Sequence, residues 1–167
     1  MGGAASGERR LRARRLPRRR GEGPLVRPGD RRVAGDVPRA EGQGSLYWLG
    51  HRDAAGDYLD GARPYRLTVP LPVPATFFWS VTCYDAQTRS EIQAAQDRAA
   101  LRSLFDDLTA GGADSIDLYF GPEEPPGARD RWIQTVPGRG WFCYFRIYGP
   151  KQAAFDNTWK PGDITAA

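Results

Sequence analysis

The sequence predicts an all-β protein, an antiparallel β-sandwich with one short helix. Between residues 45 and 164, several runs alternate apolar and polar residues, as strands with one buried face do. Turn signals rich in Gly, Pro and Asp separate these runs roughly every 8–12 residues. No repeated strand–helix–strand pattern appears, so a parallel sheet covered by helices is disfavoured.

The predicted strands before residue 90 lie in three runs. A short strand spans Ser45–Leu49, and Tyr65, Leu67 and Val69 alternate with polar residues in the next run. Prolines in PLPVP end that run because they lack the amide proton that a neighbouring strand needs. The run Phe77–Asp85 is apolar on both faces, which predicts a central strand. Its first face carries Phe77, Trp79, Val81 and Cys83.

The segment after this strand is predicted to contain the helix. Asp97 is the expected N-cap, and Gly111-Gly112 the expected end. At about 100° per residue Ile92 falls opposite the apolar stripe, so the chain before Asp97 is predicted to be extended. The stripe has the helical spacing i, i+3, i+4 and i+7 and consists of Leu101, Leu104, Phe105 and Leu108.

Three further strands are predicted between residues 116 and 148. Ile116, Leu118 and Phe120 alternate as the buried face of the first. Residues 131–148 are predicted to form a hairpin that turns at Pro137-Gly138, a pair suited to a type II turn. The buried face of its second strand is predicted to hold Trp141, Cys143, Phe145 and Ile147. The opposite face holds Phe142, Tyr144, Arg146 and Tyr148.

Six separated motifs give the strand region a family resemblance. In order they are FWSVTCYDAQTRS, LYFGP, WIQT, GxGWF, FRIYGP and FDNTWKPGDI. With these motifs the segment from about Tyr47 to Ile164 resembles the bacterial family called domain of unknown function 1214. The resemblance implies a jelly-roll β-sandwich and no established reaction. In longer family members this domain follows another uncharacterised domain, number 1254.

The first 44 residues are predicted to be a disordered tail preceding a β-sandwich domain at residues 45–167. Residues 1–40 contain twelve Arg against four acidic residues, a net charge of +8, which leaves −4 of the total +4 for the remainder. The tail has no apolar periodicity with which to bury surface. It could bind nucleic acid through its arginines, although no aromatic residue lies among them to stack on bases. A simpler explanation of the Arg-rich tail is translation of a GC-rich region that lies upstream of the domain or out of frame with it.

The two cysteines, Cys83 and Cys143, fall within predicted strands and lack metal-ligand spacing. Buried thiols acting as small apolar residues are the favoured interpretation. A disulfide requires that their strands be neighbours and that the compartment be oxidising. Without a signal peptide or an apolar run of about 18 residues, the sequence predicts a soluble, cytoplasmic protein with no membrane span.

No catalytic constellation, metal site or cofactor is predicted. His51 is the single histidine, so any histidine-based triad would depend on it, and it lies in a loop rich in Asp and Gly. The strongest polar constellation is instead Tyr84, Asp85, Thr88 and Arg89 in YDAQTRS. Asp85 and Thr88 are predicted to bond nearby backbone in a turn, with Arg89 pairing with Asp85 or binding an anion.

A second candidate ligand site surrounds Arg146. Tyr148 and Tyr144 flank it on the same strand face, and Trp132 or Trp141 could lie close. On a concave face this arginine could bind a carboxylate or a sugar. Otherwise its stem would cover aromatic rings and its guanidinium would pair with a surface acid. The candidate ligand-binding residues are therefore Tyr84, Asp85, Arg89, Trp132, Arg146 and Tyr148.

Three functions follow, in decreasing order of support. The first is a non-catalytic module that binds a small ligand or packs against a companion β domain or a second copy of itself. The second is a hydrolase or lyase using Tyr84, Asp85, Arg89 and Arg146. The third is weak nucleic-acid binding through the tail.

Overall fold

The computed structural model describes residues 31–33, 41–108 and 113–167, which form nine strands and one short helix. The helix α1 is Gln152–Phe155, and a single 3-10 turn covers Arg129–Arg131. The strands are β1 Arg31–Val33, β2 Ser45–Gly50, β3 Tyr65–Pro70, β4 Ala75–Asp85, β5 Ala100–Arg102, β6 Ser115–Gly121, β7 Trp132–Gln134, β8 Trp141–Pro150 and β9 Ile164–Ala166.

The strands form two sheets, which confirms the all-β fold predicted from the alternating runs. One sheet has the order β1-β2-β8-β4-β5, and the other β7-β6-β3-β9. All neighbouring strands are antiparallel except β6 and β7, which are parallel. The long strands β4 and β8 pair over almost their whole length at the centre of the five-stranded sheet.

The core is built from the alternating faces that the sequence predicts. Trp141 at the start of β8 contacts residues of the opposite sheet, with ring centroids 5.9 Å from Tyr65 and 5.0 Å from Phe120. Trp159 closes one side, with its ring 5.7 Å from Trp48. The inward-facing residues of β3, β6 and β8 are buried as predicted, namely Tyr65, Leu67, Val69, Ile116, Leu118, Phe120, Trp141, Cys143, Phe145 and Ile147.

The predicted helix from Asp97 is wrong. Residues 100–102 form β5, which pairs antiparallel with β4, and turns surround it. Leu101 is completely buried, whereas Leu104 is 61% and Phe105 70% exposed, so the apolar stripe does not face one neighbour. The amide of Cys83 donates to Ala99 and that of Ser103 to Trp79. Hydrogen bonding to the backbone amides and carbonyls along the edge of β4 therefore outweighs the local helical pattern. The expected helix end, Gly111-Gly112, lies outside the described residues.

The predicted hairpin at residues 131–148 is also wrong. β7 pairs in parallel with β6, whereas β8 lies between β2 and β4 in the other sheet. The predicted turn does exist, since Gly138 has φ +79° and the Arg139 amide donates to the Val136 carbonyl. Thr135 donates its hydroxyl to Gly61 and its amide to Gly121. These bonds hold the chain against its own sheet before the turn carries it to the opposite one.

Two smaller differences concern Phe77 and the tail. Phe77 is 69% exposed and does not join the buried face of β4, because the pairing with β8 is irregular between Ala75 and Phe78. Its ring lies over Gly149, where a Cβ would come within 2.7 Å. Residues 31–33 form a strand paired with β2, so for these three residues the prediction of a structureless tail is corrected. The remainder of residues 1–40 lies outside the described residues.

The different environments of two leucines provide a test of β5. Leu101→Ala should lower the free energy of unfolding by about 2–5 kcal/mol because it removes a fully buried side chain. Leu104→Ala should change it by about 0.5 kcal/mol or less because that side chain is exposed. Urea unfolding of both variants measures the two values. Similar large losses would instead support the helix.

Candidate functional site

The outer face of the five-stranded sheet carries a continuous group of aromatic side chains. Alternation along β2, β4 and β8 turns every second residue away from the core. We call this surface the aromatic face, and it comprises Tyr47, Phe78, Tyr84, Phe142, Tyr144 and Tyr148. Apart from Phe142, which is buried, these residues are half-buried. The hydrophobic residues needed for the core are thus matched by a second apolar layer on the opposite side of the same strands.

Ring contacts link the members of the aromatic face across three strands. Phe78 stacks on Tyr148 with centroids 4.1 Å apart, and Tyr84 stacks on Phe142 at 5.3 Å. Tyr144 sits between these pairs and presents edge contacts to Tyr47, Tyr84 and Phe142. Such packing gives rigid side chains, because each ring is held by at least one other.

Arg146 lies within this aromatic surface. In register it faces Tyr47 on one neighbouring strand and Ser80 on the other. Its guanidinium carbon is 4.6 Å from the Tyr47 ring centroid, and Nη1 donates a 2.8 Å hydrogen bond to the Tyr148 hydroxyl. Nε is buried and has no hydrogen-bond partner among the described residues. Within those residues no carboxylate lies within 4.0 Å of the guanidinium.

Burial within the aromatic face and contacts with neighbouring groups shift the pKa values of Tyr84 and Arg146. Burial raises the pKa of Tyr84, although nearby Arg146 opposes that rise. Burial works against the charge on Arg146, but the hydrogen bond to Tyr148 and the surrounding tyrosines leave its pKa above the usual value. At neutral pH the site therefore holds a neutral phenol and a permanent cation. Tyr84 can donate a hydrogen bond but is unsuited to act as a base.

A groove of about 400 Å³ lies between β4 and the segment around β5. Arg146 does not line it, but its hydrogen-bond partner Tyr148 and its register partner Ser80 do. Phe78 and Tyr148 form one wall and the exposed Phe105 part of the other. Ser80 and Thr82 of β4 also line it. Its volume falls within the roughly 300–1,000 Å³ of small-molecule sites.

The charged side chains of the groove differ in their availability. Arg98 is fully engaged, donating to the Asp106 carboxylate and to the carbonyls of Arg129 and Asp130. The guanidinium carbon of Arg102 lies 5.1 Å from the centroid of the Phe105 ring, and its Nε lies 4.0 Å from Asp106 Oδ2. Glu91 and Asp97 balance these two cations, so the lining has no net charge apart from the neighbouring Arg146.

The YDAQTRS turn is confirmed in its backbone role but not in its ion pair. Asp85 Oδ1 accepts from the amides of Gln87 at 2.8 Å and Thr88 at 3.0 Å. Oδ2 accepts from Arg139 Nη1 at 2.8 Å, so Arg139 takes the place predicted for Arg89. These bonds lower the pKa of Asp85 from its usual 3.8 to about 2, with the Thr88 amide contributing most.

The other sequence-predicted site residues are dispersed. Arg89 adopts φ +63° and its guanidinium lies 5.4 Å from the Phe142 ring centroid. Trp132 is buried in the four-stranded sheet, where Nε1 donates to the Gly121 carbonyl, so it is not part of the Arg146 surroundings. His51 lies 6.1 Å from the Tyr58 ring, following β2. The structure thus places Tyr84, Arg146 and Tyr148 on the aromatic face and Arg89 against Phe142 of that face, whereas Asp85 and Trp132 lie elsewhere.

This dispersal bears on the enzyme hypothesis. The four residues Tyr84, Asp85, Arg89 and Arg146 do not converge, since Asp85 is occupied by its turn and by Arg139. A carboxylate with a pKa of about 2 is ionised at neutral pH and is a poor general acid there. In the described part of the chain, no cluster of three His, Cys, Asp or Glu residues is arranged to hold a metal ion. No helix among those residues is long and apolar enough to cross a membrane.

Several members of the site were missed by sequence reasoning. Tyr47 and Ser80 adjoin Arg146 only through the strand register, for which the sequence carries no direct signal. Arg102 and Phe105 were placed on a helix and instead flank the groove. Arg139 reaches Asp85 because the Ala86 amide donates to the Gly140 carbonyl, which joins the two turns.

The fold defines a two-sheet β domain whose five-stranded sheet carries the aromatic face on its outer side. The chain belongs to the family DUF1214, proteins of unknown function, whose model matches residues 44–152. No curated protein matches the sequence.

Two solved structures of uncharacterised proteins are similar. The VPA0106 protein from Vibrio parahaemolyticus is 21% identical with a TM-score of 0.62, over 74% of this chain and 30% of that one. An uncharacterised protein from Burkholderia cenocepacia is 14% identical with a TM-score of 0.45, over 74% and 29%. The first shares the fold, and this chain spans less than a third of either protein.

The Asp85 turn gives a pH-dependent prediction. Asp85→Ala should destabilise the protein by about 1–3 kcal/mol, because two amides and Arg139 lose their acceptor. Asp85→Asn should cost less, since its side-chain oxygen can still accept from the amides.

The lowered pKa of Asp85 fixes the direction in which the stability of the protein changes with pH. The contribution of the ionised Asp85 is present above about pH 4 and is lost as pH falls through the folded value of about 2. The stability difference between wild type and Asp85→Asn should therefore shrink as pH falls from 4 towards 2. Urea unfolding at several pH values measures it, and a constant difference would contradict the assignment.

Proposed function

We propose that this domain is a non-catalytic binding module that holds a small organic anion at Arg146. The observation behind the proposal is a half-buried guanidinium that is surrounded by tyrosines and lacks a carboxylate within 4.0 Å among the described residues. Removing a cation from water is unfavourable unless an anion or several hydrogen bonds compensate. Arg146 makes one side-chain hydrogen bond and no ion pair among the described residues, so an anion at its half-buried guanidinium would supply the missing counter-charge.

Tyr148 supports the anionic character of the ligand. Its hydroxyl accepts the bond from Arg146, which leaves its own proton available to donate. No acceptor for that proton is present among the described residues, and Tyr148 lines the groove. A carboxylate placed there would receive a bond from the Tyr148 hydroxyl and the charge of Arg146.

The groove favours a ligand with a flat or apolar body. Phe78 and Tyr148 present stacked rings on one side, and Phe105 is 70% exposed on the other. Filling the space between them would remove apolar surface from water, which is the main driving force for binding such groups. A carboxylate attached to a ring or to a short aliphatic chain has both the negative charge that pairs with Arg146 and the apolar body that fills the groove.

Benzoate and hexanoate are suitable probes, with benzamide as the uncharged match of benzoate. Benzoate should bind at least about tenfold more tightly than benzamide, because only the carboxylate pairs with Arg146. Arg146→Met should weaken benzoate binding about tenfold or more, and Tyr148→Phe about three- to tenfold. Ligand-titrated NMR spectra measure the dissociation constants and show which residues respond.

Arg66→Met is the matched control. Arg66 loses the same charge, but it lies on the other sheet, is half exposed and pairs with Asp117. It should leave benzoate binding unchanged. Equal effects of Arg66→Met and Arg146→Met, or equal affinities for benzoate and benzamide, would contradict an anion site at Arg146.

A second candidate is packing of the aromatic face against a companion domain. The similar region makes up 30% of the Vibrio parahaemolyticus protein, and the resemblance implies that domain 1254 precedes this one in longer relatives. An aromatic surface with an embedded arginine also has the composition of interface centres. In the absence of a companion domain, the same face would associate with a second copy.

Sedimentation across a concentration series tests this second candidate. Association at micromolar concentration should be abolished by Tyr144→Lys, which places a charge among the rings at the centre of the face. The exposed Lys151 serves for a charge-neutral control, Lys151→Arg, which should leave association unchanged. A monomer at every concentration would exclude self-association through this face and leave the small-ligand role.

A further inference from the structure

Cys83 and Cys143 lie directly opposite each other in the central strands of the five-stranded sheet. The pairing of β4 with β8 matches Cys83 to Cys143 in register. Both side chains face the core, with 0% and 2% of their surface exposed. The two thiols are unbonded in the structure. Neighbouring strands were the condition that the sequence left open for a disulfide, and the structure meets it.

The backbone hydrogen bonds show which kind of pair this is. The amide of Cys83 donates to Ala99, and its carbonyl accepts from Ile92, so both groups point away from β8. Cys83 and Cys143 are therefore a non-hydrogen-bonded pair. In such pairs the Cα atoms are about 4.5 Å apart and the side chains are at their closest, within the roughly 4.4–6.8 Å that a disulfide spans. The neighbouring pair, Thr82 and Tyr144, faces the opposite side of the sheet.

We propose that Cys83 and Cys143 form a cross-strand disulfide when the chain folds in the presence of a small disulfide oxidant. Each thiol loses its proton, one thiolate attacks the oxidant and releases one reduced thiol, and the second thiolate then displaces the other. The protein gains one S–S bond, and the oxidant leaves as two thiols. The link would join β4 and β8 beneath the aromatic face.

Because both thiols are buried in the folded protein, oxidation of the pair depends on whether the oxidant reaches it before the core closes. In the folded protein, burial raises the pKa of Cys83, and the proximity of Cys143 raises it further. Burial raises the pKa of Cys143 to about 12, partly offset by a hydrogen bond from the Gly50 backbone. Because the thiolate is the reacting form, both cysteines are protected from exchange once the core has closed.

Access to the pair is restricted as well. Cys143 borders a narrow, partly open cleft of about 50 Å³, which is lined also by Gly50, Leu67 and Ile164 and by the more exposed Arg52 and Lys160. It is too small for a peptide disulfide such as glutathione disulfide. Exchange with such an oxidant therefore has to occur before the strands β4 and β8 are covered by the second sheet.

Refolding of the full-length protein tests the proposal. The protein is unfolded and reduced, then refolded with a mixture of reduced and oxidised glutathione. Its mass should fall by about two hydrogen atoms, and no thiol should react in denaturant. Non-reducing proteolysis should give one linked pair of peptides containing Cys83 and Cys143. The melting temperature should rise by roughly 5–15 °C relative to the reduced protein.

The folded, reduced protein is the matched comparison. Glutathione disulfide should oxidise its thiols at least tenfold more slowly than the thiols of the refolding protein. Cys83→Ala and Cys143→Ala should each keep one free thiol in the folded protein, because the closed core has no room for a glutathione adduct, and neither should give a linked peptide pair. Two free thiols or two mixed disulfides in oxidatively refolded, folded wild type would overturn the pairing. If the folded, reduced protein and the refolding protein were oxidised at equal rates, the dependence of the disulfide on folding would be overturned. The peptide map decides the pairing even if an alanine variant does not fold.

Discussion

The pairing of β4 with β8 is the constraint on which both faces of the five-stranded sheet depend. Its register places Trp79, Val81 and Cys83 beside Ile147, Phe145 and Cys143 in the core. The same register places Ser80 beside Arg146 on the outer face. A slip of one residue would move every side chain to the opposite face and bury the guanidinium among apolar groups. One pairing thus determines both the core and the candidate site.

The arginines of this domain differ in how their charge is compensated. Arg139 pairs with Asp85, and Arg98 is saturated by Asp106 and two carbonyls. Arg146 instead packs against tyrosine rings and donates to a phenol. Cation–π contacts and one neutral hydrogen bond compensate a half-buried charge less well than a carboxylate does. Arg146 therefore differs from Arg98 and Arg139, which form ion pairs, and the proposed anion site rests on that difference.

The cysteine pair and the aromatic face are properties of the same two strands. Cys83 and Cys143 lie on the inner side, between the register rows that hold Thr82 with Tyr144 and Tyr84 with Phe142 on the outer side. A covalent link at this point would hold the spacing of the strands beneath the rings. Rigidity of the inner side would then be transmitted to the outer side, because adjacent residues share one backbone.

The sequence by itself determined the features that depend on neighbouring residues. Alternation along β8 predicted that Arg146 and Tyr148 face away from Trp141 and Phe145, and the Asp85 turn followed from its own side chain. Periodicity and turn chemistry are local, so they can be recognised within about ten residues. The two-sheet fold followed from the number and spacing of such runs.

Only the tertiary structure decided which runs pair and which charges meet. Leu101 follows a helical spacing, yet its segment becomes β5 because amides and carbonyls along the edge of β4 need partners. The strands around Pro137-Gly138 look like a hairpin but enter different sheets. Arg139 reaches Asp85 across 54 residues of chain. Strand partners are selected by burial of whole faces and by hydrogen bonds between distant segments, and neither can be read from a local pattern.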